Sequence, residues 1–225
     1  MNVITATNLK ALTPSAQWTQ KLRASLAGFT TPGDPLTTGL LVENWQGPEA
    51  AHPMYSVGLK SIMNPNILAL LDQPICWRFM SGSSDPTQKA SSGCWATPEA
   101  HGMPAKIVAA MQGLEATDVL ASTALLNKLS CVTDQPGNQF EIRVLRIPGL
   151  VVEAFWLKYT GLNAGSSDWI VPYGLVQGGA NLIKLAGGGT LNKNQAYTAS
   201  EFLTIAAGAA QKRLDADQNA PPNAV

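Results

Sequence analysis

The chain has 225 residues, with 15 Lys and Arg balancing 15 Asp and Glu, so that 13% of residues are charged, 45% are hydrophobic and the formal net charge is zero. Average soluble domains are about 25% charged, and an ordinary hydrophobic content without net charge excludes intrinsic disorder. A neutral chain also lacks the cationic field of a dedicated nucleic-acid binder.

The first predicted element is a helix from Thr13-Pro14 to Phe29. Thr13 suits an N-cap and Pro14 a first helical position, and Trp18, Leu22 and Leu26 recur every four residues. Loop text punctuated by Pro32-Gly33-Asp34-Pro35 and Gly47-Pro48 follows, with Leu40-Leu41-Val42 as a short strand. Tyr55 to Ile62 and Ile75 to Met80 read as strands. Around the Ser- and Gly-rich loop from Ser81 to Ser92, the echoing phrases Ile75-Cys76-Trp77 and Gly93-Cys94-Trp95 read as arms of a β-hairpin.

Helices are expected over Pro104 to Met111, with Ile107, Val108 and Met111 on one side, and over Asp118 to Leu129 behind a Thr117 cap. The strongest strand text comes next. Phe140, Ile142 and Val144 alternate with Glu141 and Arg143, Pro148-Gly149 breaks the run, and Leu150 to Tyr159 continues as nearly uninterrupted apolar sequence. With Trp169-Ile170-Val171 these pieces predict an antiparallel meander. Gly178-Gly179 and Gly187-Gly188-Gly189 bracket Leu182 to Leu185 and read as flexible loops.

A last helix opens on the capping box Thr198-Ala199-Ser200-Glu201 and buries Phe202, Ile205, Ala206, Ala209 and Ala210. The whole reads as an α+β fold: a single domain over residues 1–217 with a mainly antiparallel sheet packed by about four helices, and a flexible C-terminal tail over 218–225.

Few residues remain to run a reaction. The three cysteines, Cys76, Cys94 and Cys131, form no disulfide framework, and neither they nor the two histidines, His52 and His101, have metal-ligand spacing. No metal and no cofactor is expected. Phosphate-binding glycine motifs, a Gly-x-Ser-x-Gly elbow and kinase signatures are all missing from the text.

Gly93-Cys94-Trp95-Ala96, with Gln88 six residues before the cysteine, resembles the nucleophile stretch of papain-like cysteine proteases over about nine residues. The resemblance implies Cys94 as nucleophile and Gln88 as an oxyanion donor. The chain departs from the family where Ser91-Ser92-Gly93 precedes the cysteine and where no histidine follows His101, so it is not assigned there. In a different chain order Cys94 pairs with His52 or His101 as base, giving a cysteine-dependent hydrolase or transferase. The competing reading makes Cys94 and Cys76 small apolar residues beside tryptophans.

Glu153 stands inside an apolar run, either poised for acid–base work or paired with Arg143, Arg146 or Lys158. Trp45, Trp95 and Trp169 lie beside Gly, Pro, Ser or Asp, a setting used by contact surfaces. The favoured expectation is a non-enzymatic protein-binding or self-assembling module with an aromatic, weakly charged surface. Its partner is another protein or its own copies, with no nucleic acid and no membrane. Without a signal-peptide pattern or a long apolar span, the expected compartment is cytoplasmic.

Overall fold

The structure, a computed structural model, describes residues 2–4, 9–10, 51–81, 92–96, 107–112, 131–133, 140–161, 168–173 and 182–219. They fall into two compact units, Met1–Met54 with Pro74–Ile142, and Tyr55–Gln73 with Arg143–Val225.

The first unit is built from β1 (Asn2–Ile4), β2 (Leu9–Lys10), the start of β3 (Ala51–Ser56), β4 (Cys76–Ser81), β5 (Ser92–Ala96), β6 (Ile107–Gln112), β7 (Cys131–Thr133) and the start of β8 (Phe140–Ile147). β3, β4, β5 and β6 form an antiparallel series in that order. β2 lies parallel to β8 at Leu9 and Phe140, and β1 pairs with β7 in a separate ladder. The expected hairpin around residues 81–92 is present. Its antiparallel register sets Trp77 opposite Ala96 and Phe79 opposite Cys94, so the two Cys-Trp phrases do not meet. Cys76 instead faces Met54, with its thiol 3.6 Å from the Met54 Sδ.

Of the helix expected over Pro104 to Met111, the described residues, 107–111, belong to the strand β6. Eight residues are too few to separate the two periods: Ile107 and Met111 fit a helix, while Ile107, Ala109 and Met111 fit a strand. The β-branched pair Ile107-Val108 and a neighbouring strand decide for the pleat.

The second unit holds the rest of β8, then β9 (Val152–Tyr159), β10 (Trp169–Pro172), β11 (Leu182–Lys184), β12 (Thr190–Asn192), β13 (Tyr197–Thr198) and the helix α1 (Ala199–Gln218). β8, β9, β10 and β13 are neighbours in that order. β9 and β10 run antiparallel, and the link of only Pro148 to Val151 between β8 and β9 joins antiparallel neighbours. Tyr55 to Ile62 is not one strand. β3 ends at Ser56, Val57 donates to the Arg146 carbonyl, and Ser61–Met63 and Ile67–Leu70 are 3-10 turns.

The capping box forms as the text predicts. The Thr198 hydroxyl accepts from the Glu201 amide at 3.2 Å, and the Glu201 carboxylate accepts from the Thr198 amide at 2.9 Å. The Thr198 amide and hydroxyl, both donating to it, hold the Glu201 carboxyl below its ordinary range. Phe202, Ala206, Ala209 and Ala210 are buried against the sheet residues Ala154, Trp156 and Ile170 in one core. Gly187 to Gly189 is not a loose loop but the turn of the β11–β12 hairpin, all three at φ near +95°. A side chain at Gly187 would strike the Ala209 carbonyl of α1, so both conformation and space demand glycine.

The fold is therefore mainly sheet. Among the described residues there is one α-helix, which corrects the expected α+β arrangement with about four helices. The expected helices over 13–29 and 118–129 and the strand at 40–42 lie outside the described residues. None of the described helices is long and apolar enough to cross a membrane.

Val151, at the β8–β9 link, has φ of 57° and is 72% exposed. A β-branched residue in the left-handed region is strained by about 1–2 kcal/mol, and this side chain gains little from packing. Val151→Gly is expected to stabilise the protein by about 0.5–1 kcal/mol, read as a higher urea midpoint with an unchanged slope.

Candidate functional site

In the first unit, β3 presents His52 and β4 presents Arg78, each fully buried and paired in register. The Arg78 guanidinium lies 3.4 Å from His52 Nδ1. A guanidinium has no acceptor, so Nδ1 is the acceptor in this contact. Cys94 lies on β5, two strands from His52 and about 10 Å away by sheet spacing. The row of His52 and Arg78 continues to Trp95, whereas Cys94 shares its row with Ala51 and Phe79. Adjacent rows belong to opposite faces of a pleated sheet. The ladder thus sets Cys94 and His52 apart rather than side by side. Gln88, His101 and Trp45 lie outside the described residues.

In the second unit the chemistry gathers at β9. Glu153 is buried, and it is paired: its Oε1 is 3.2 Å from Arg146 Nε, and its Oε2 accepts from the Tyr173 hydroxyl at 3.1 Å. The short β8–β9 link brings Arg146 beside Glu153, and the β9–β10 ladder brings Tyr173 there, since the Tyr173 amide donates to the Glu153 carbonyl. Arg146 is half-exposed and can regain water. Glu153→Gln is therefore expected to cost only about 1–2 kcal/mol, measured by urea unfolding.

Arg143 packs on two aromatic rings. Its guanidinium lies 5.0 Å from the ring centres of both Tyr55 and Trp156, and Lys158 lies 5.5 Å over Trp156. Trp156 is fully buried and donates to Asp168 Oδ2 at 2.7 Å, while the Tyr159 amide donates to Oδ1 at 2.9 Å. Burial raises the Asp168 carboxyl above its ordinary value, against the lowering effect of these two donors and of the Lys158 and Arg143 charges. Asp168 follows Ser166-Ser167 and carries no local signal in the sequence. Its role depends on β9, nine and twelve residues back, and only a register assignment reveals it.

The remaining feature is a groove of about 500 Å³ between the 3-10 turns and the first half of α1. Ile62, Met63 and Leu68 form one wall, and Ala199, Leu203 and Ala207 form the other. No charged side chain lines it. Its polar groups are Asn66, Ser200 and Thr204, and the Thr204 hydroxyl donates to the Ser200 carbonyl at 2.8 Å. Sequence reading found the capping box and the small residues of α1 but not this second apolar stripe. The spacing of Ala199, Leu203 and Ala207, every four residues, was the available signal.

Trp169 is partly buried on β10, between Leu157 and Thr198 in register, and Trp95 takes its place on β5. The described large apolar side chains that stand exposed are aliphatic: Met63, Leu70, Val151 and Leu182 in the second unit and Ile75 in the first. Among the described residues no three His, Cys, Asp or Glu side chains gather as metal ligands. Comparison of the chain with protein-family models, with curated proteins and with solved structures found no match.

Proposed function

We propose that the chain is a non-enzymatic protein-binding or self-assembling module whose contact surface is apolar and weakly charged, with the α1 groove as its main seat. The observation that carries this is the lining of the groove. It offers apolar walls and no titratable group, so it can hold an apolar side chain of a partner but cannot move a proton. The Thr204 hydroxyl on its wall already donates to backbone. The surface that does the binding is aliphatic rather than aromatic, with Met63 at 38% exposure on the rim.

Thr204→Arg, an exposed change on the groove wall, tests the reading. Light scattering and co-purification of the full chain are expected to show self-association or a stoichiometric partner, weakened at least tenfold by Thr204→Arg, about 1.4 kcal/mol. A strictly monomeric wild-type protein with no stoichiometric partner would overturn it. So would a Cys94 thiol that alkylates rapidly well below the ordinary thiol pKa, because that marks an activated nucleophile.

A further inference from the structure

The first unit carries a pair of sulfur atoms that the groove does not use. Met54 on β3 and Cys76 on β4 stand directly opposite each other in the ladder, and His52 opposite Arg78 is the next pair on the same face. All four side chains are buried. Cys76 forms no disulfide, and its thiol donates to the Met54 thioether at 3.6 Å. His and Cys spacing in the text gave no metal pattern because the second donor here is a methionine, brought to the cysteine by strand register across 22 residues.

Thiolate and thioether are soft donors, the pair that selects Cu(I). The thiol proton already lies between the two sulfurs, where a bridging ion would sit. At metal–sulfur distances of about 2.3 Å one ion holds two sulfurs about 4–4.5 Å apart, so this pair has to open by less than about 1 Å. The unbranched methionine side chain adapts to a change of that size.

Charge narrows the choice of ion. Cys76 gives up its proton to water on binding, so Cu(I) replaces the proton one charge for one charge and changes no oxidation state. Zn(II) or Cu(II) would instead add a positive charge on the face that holds the buried Arg78 guanidinium. His52 shares that face, but its Nδ1 already accepts from Arg78 at 3.4 Å, so the two sulfurs alone are assigned as ligands. Access comes from the ladder end: Cys76 opens β4 directly after Ile75, which is half-exposed, and such ends open first.

The geometry points to Cys76 and Met54 as a two-sulfur binding site for Cu(I). The site is separate from the α1 groove and does not rest on the reading given to it.

Cys94 and Cys131 are the other thiols of the chain, so the test compares the wild-type protein with a full-length Cys94→Ala, Cys131→Ala variant. Both are titrated with Cu(I) under reducing, oxygen-free conditions against a coloured Cu(I) chelator. The double variant is expected to hold one Cu(I) per chain as tightly as the wild-type protein does at its tightest site. Met54→Leu in that background keeps the side-chain volume and is expected to weaken binding roughly tenfold or more, and Cys76→Ser to abolish it. Zn(II) should not displace the bound Cu(I).

X-ray absorption at the copper edge of the double variant needs no change at either ligand and should show two sulfur neighbours. A double variant that binds no Cu(I) overturns the inference. Binding that Met54→Leu leaves unchanged, or a copper with one sulfur neighbour, also overturns it, because the thiol then captures the ion without the thioether. None of these results bears on the groove, whose own test is association and its response to Thr204→Arg.

Discussion

Asp168→Ala is expected to destabilise the protein by about 3 kcal/mol, because it strips two buried donors of their acceptor at once. The Trp156 indole and the Tyr159 amide both end on this carboxylate, and neither residue has more than slight access to water. Asp168→Asn should cost less, about 1–2 kcal/mol. The amide keeps one acceptor and turns its NH2 toward the other donor.

The pH dependence identifies the cause. A carboxyl whose pKa is raised on folding binds its proton more tightly in the folded chain than in the unfolded one. Its contribution to stability is complete below the ordinary value of 3.8 and is lost as the pH rises through the raised value. The side-chain amide of the Asp168→Asn variant does not titrate, so the penalty of that change should be largest at the acid end of the window and shrink as pH rises. Urea unfolding of both proteins across the acid range measures it. A penalty that grows with pH would show that the folded carboxyl is held ionised instead.

Trp156→Ala is expected to cost about 4 kcal/mol, within the range for emptying a buried aromatic site. The ring is fully buried and meets Tyr55 edge-on at 5.3 Å, and the Arg143 guanidinium lies over it. Trp156→Phe separates the contributions, keeping most of the packing and losing the indole donor to Asp168. About 1–2 kcal/mol is the expected cost of that loss. Combined with Asp168→Asn it should fall short of the sum of the two single effects, since each removes one end of the same bond. Strict additivity in chemical denaturation would show that the bond contributes nothing.

What could be read from the text was local. The capping box of α1 needs only four consecutive residues, and it is where Thr198 and Glu201 placed it. The alternation of Phe140, Ile142 and Val144 and the apolar run ending at Tyr159 identified two neighbouring strands of the sheet. Segments whose state is set by a distant partner were misread. Ile107 to Gln112 is a strand because β5 lies beside it, and the chain beyond Ser56 leaves its strand where Val57 finds Arg146.

The site residues divide in the same way. Glu153 drew attention because a carboxylate interrupts apolar neighbours, and its partner Arg146 lies seven residues away across a tight link. Asp168 had no such local contrast after Ser166-Ser167. The groove walls come from residues 62–69 and 199–207, which no short window can join.

Each compact unit is assembled from two separated stretches of chain, and this has a consequence for synthesis. The segment Tyr55–Gln73 leaves the ribosome early, yet its Val57 amide bonds to the Arg146 carbonyl, and its Ile62 and Leu68 share a core with Phe202 and Leu203. These partners arrive between about 90 and 140 residues later, and closing loops of that size slows folding. During that interval the apolar side chains of residues 55–73 stand in water without their core. A nascent chain halted near Ile142 would thus present them for aggregation or chaperone capture, and folding of the second unit waits for the arrival of α1.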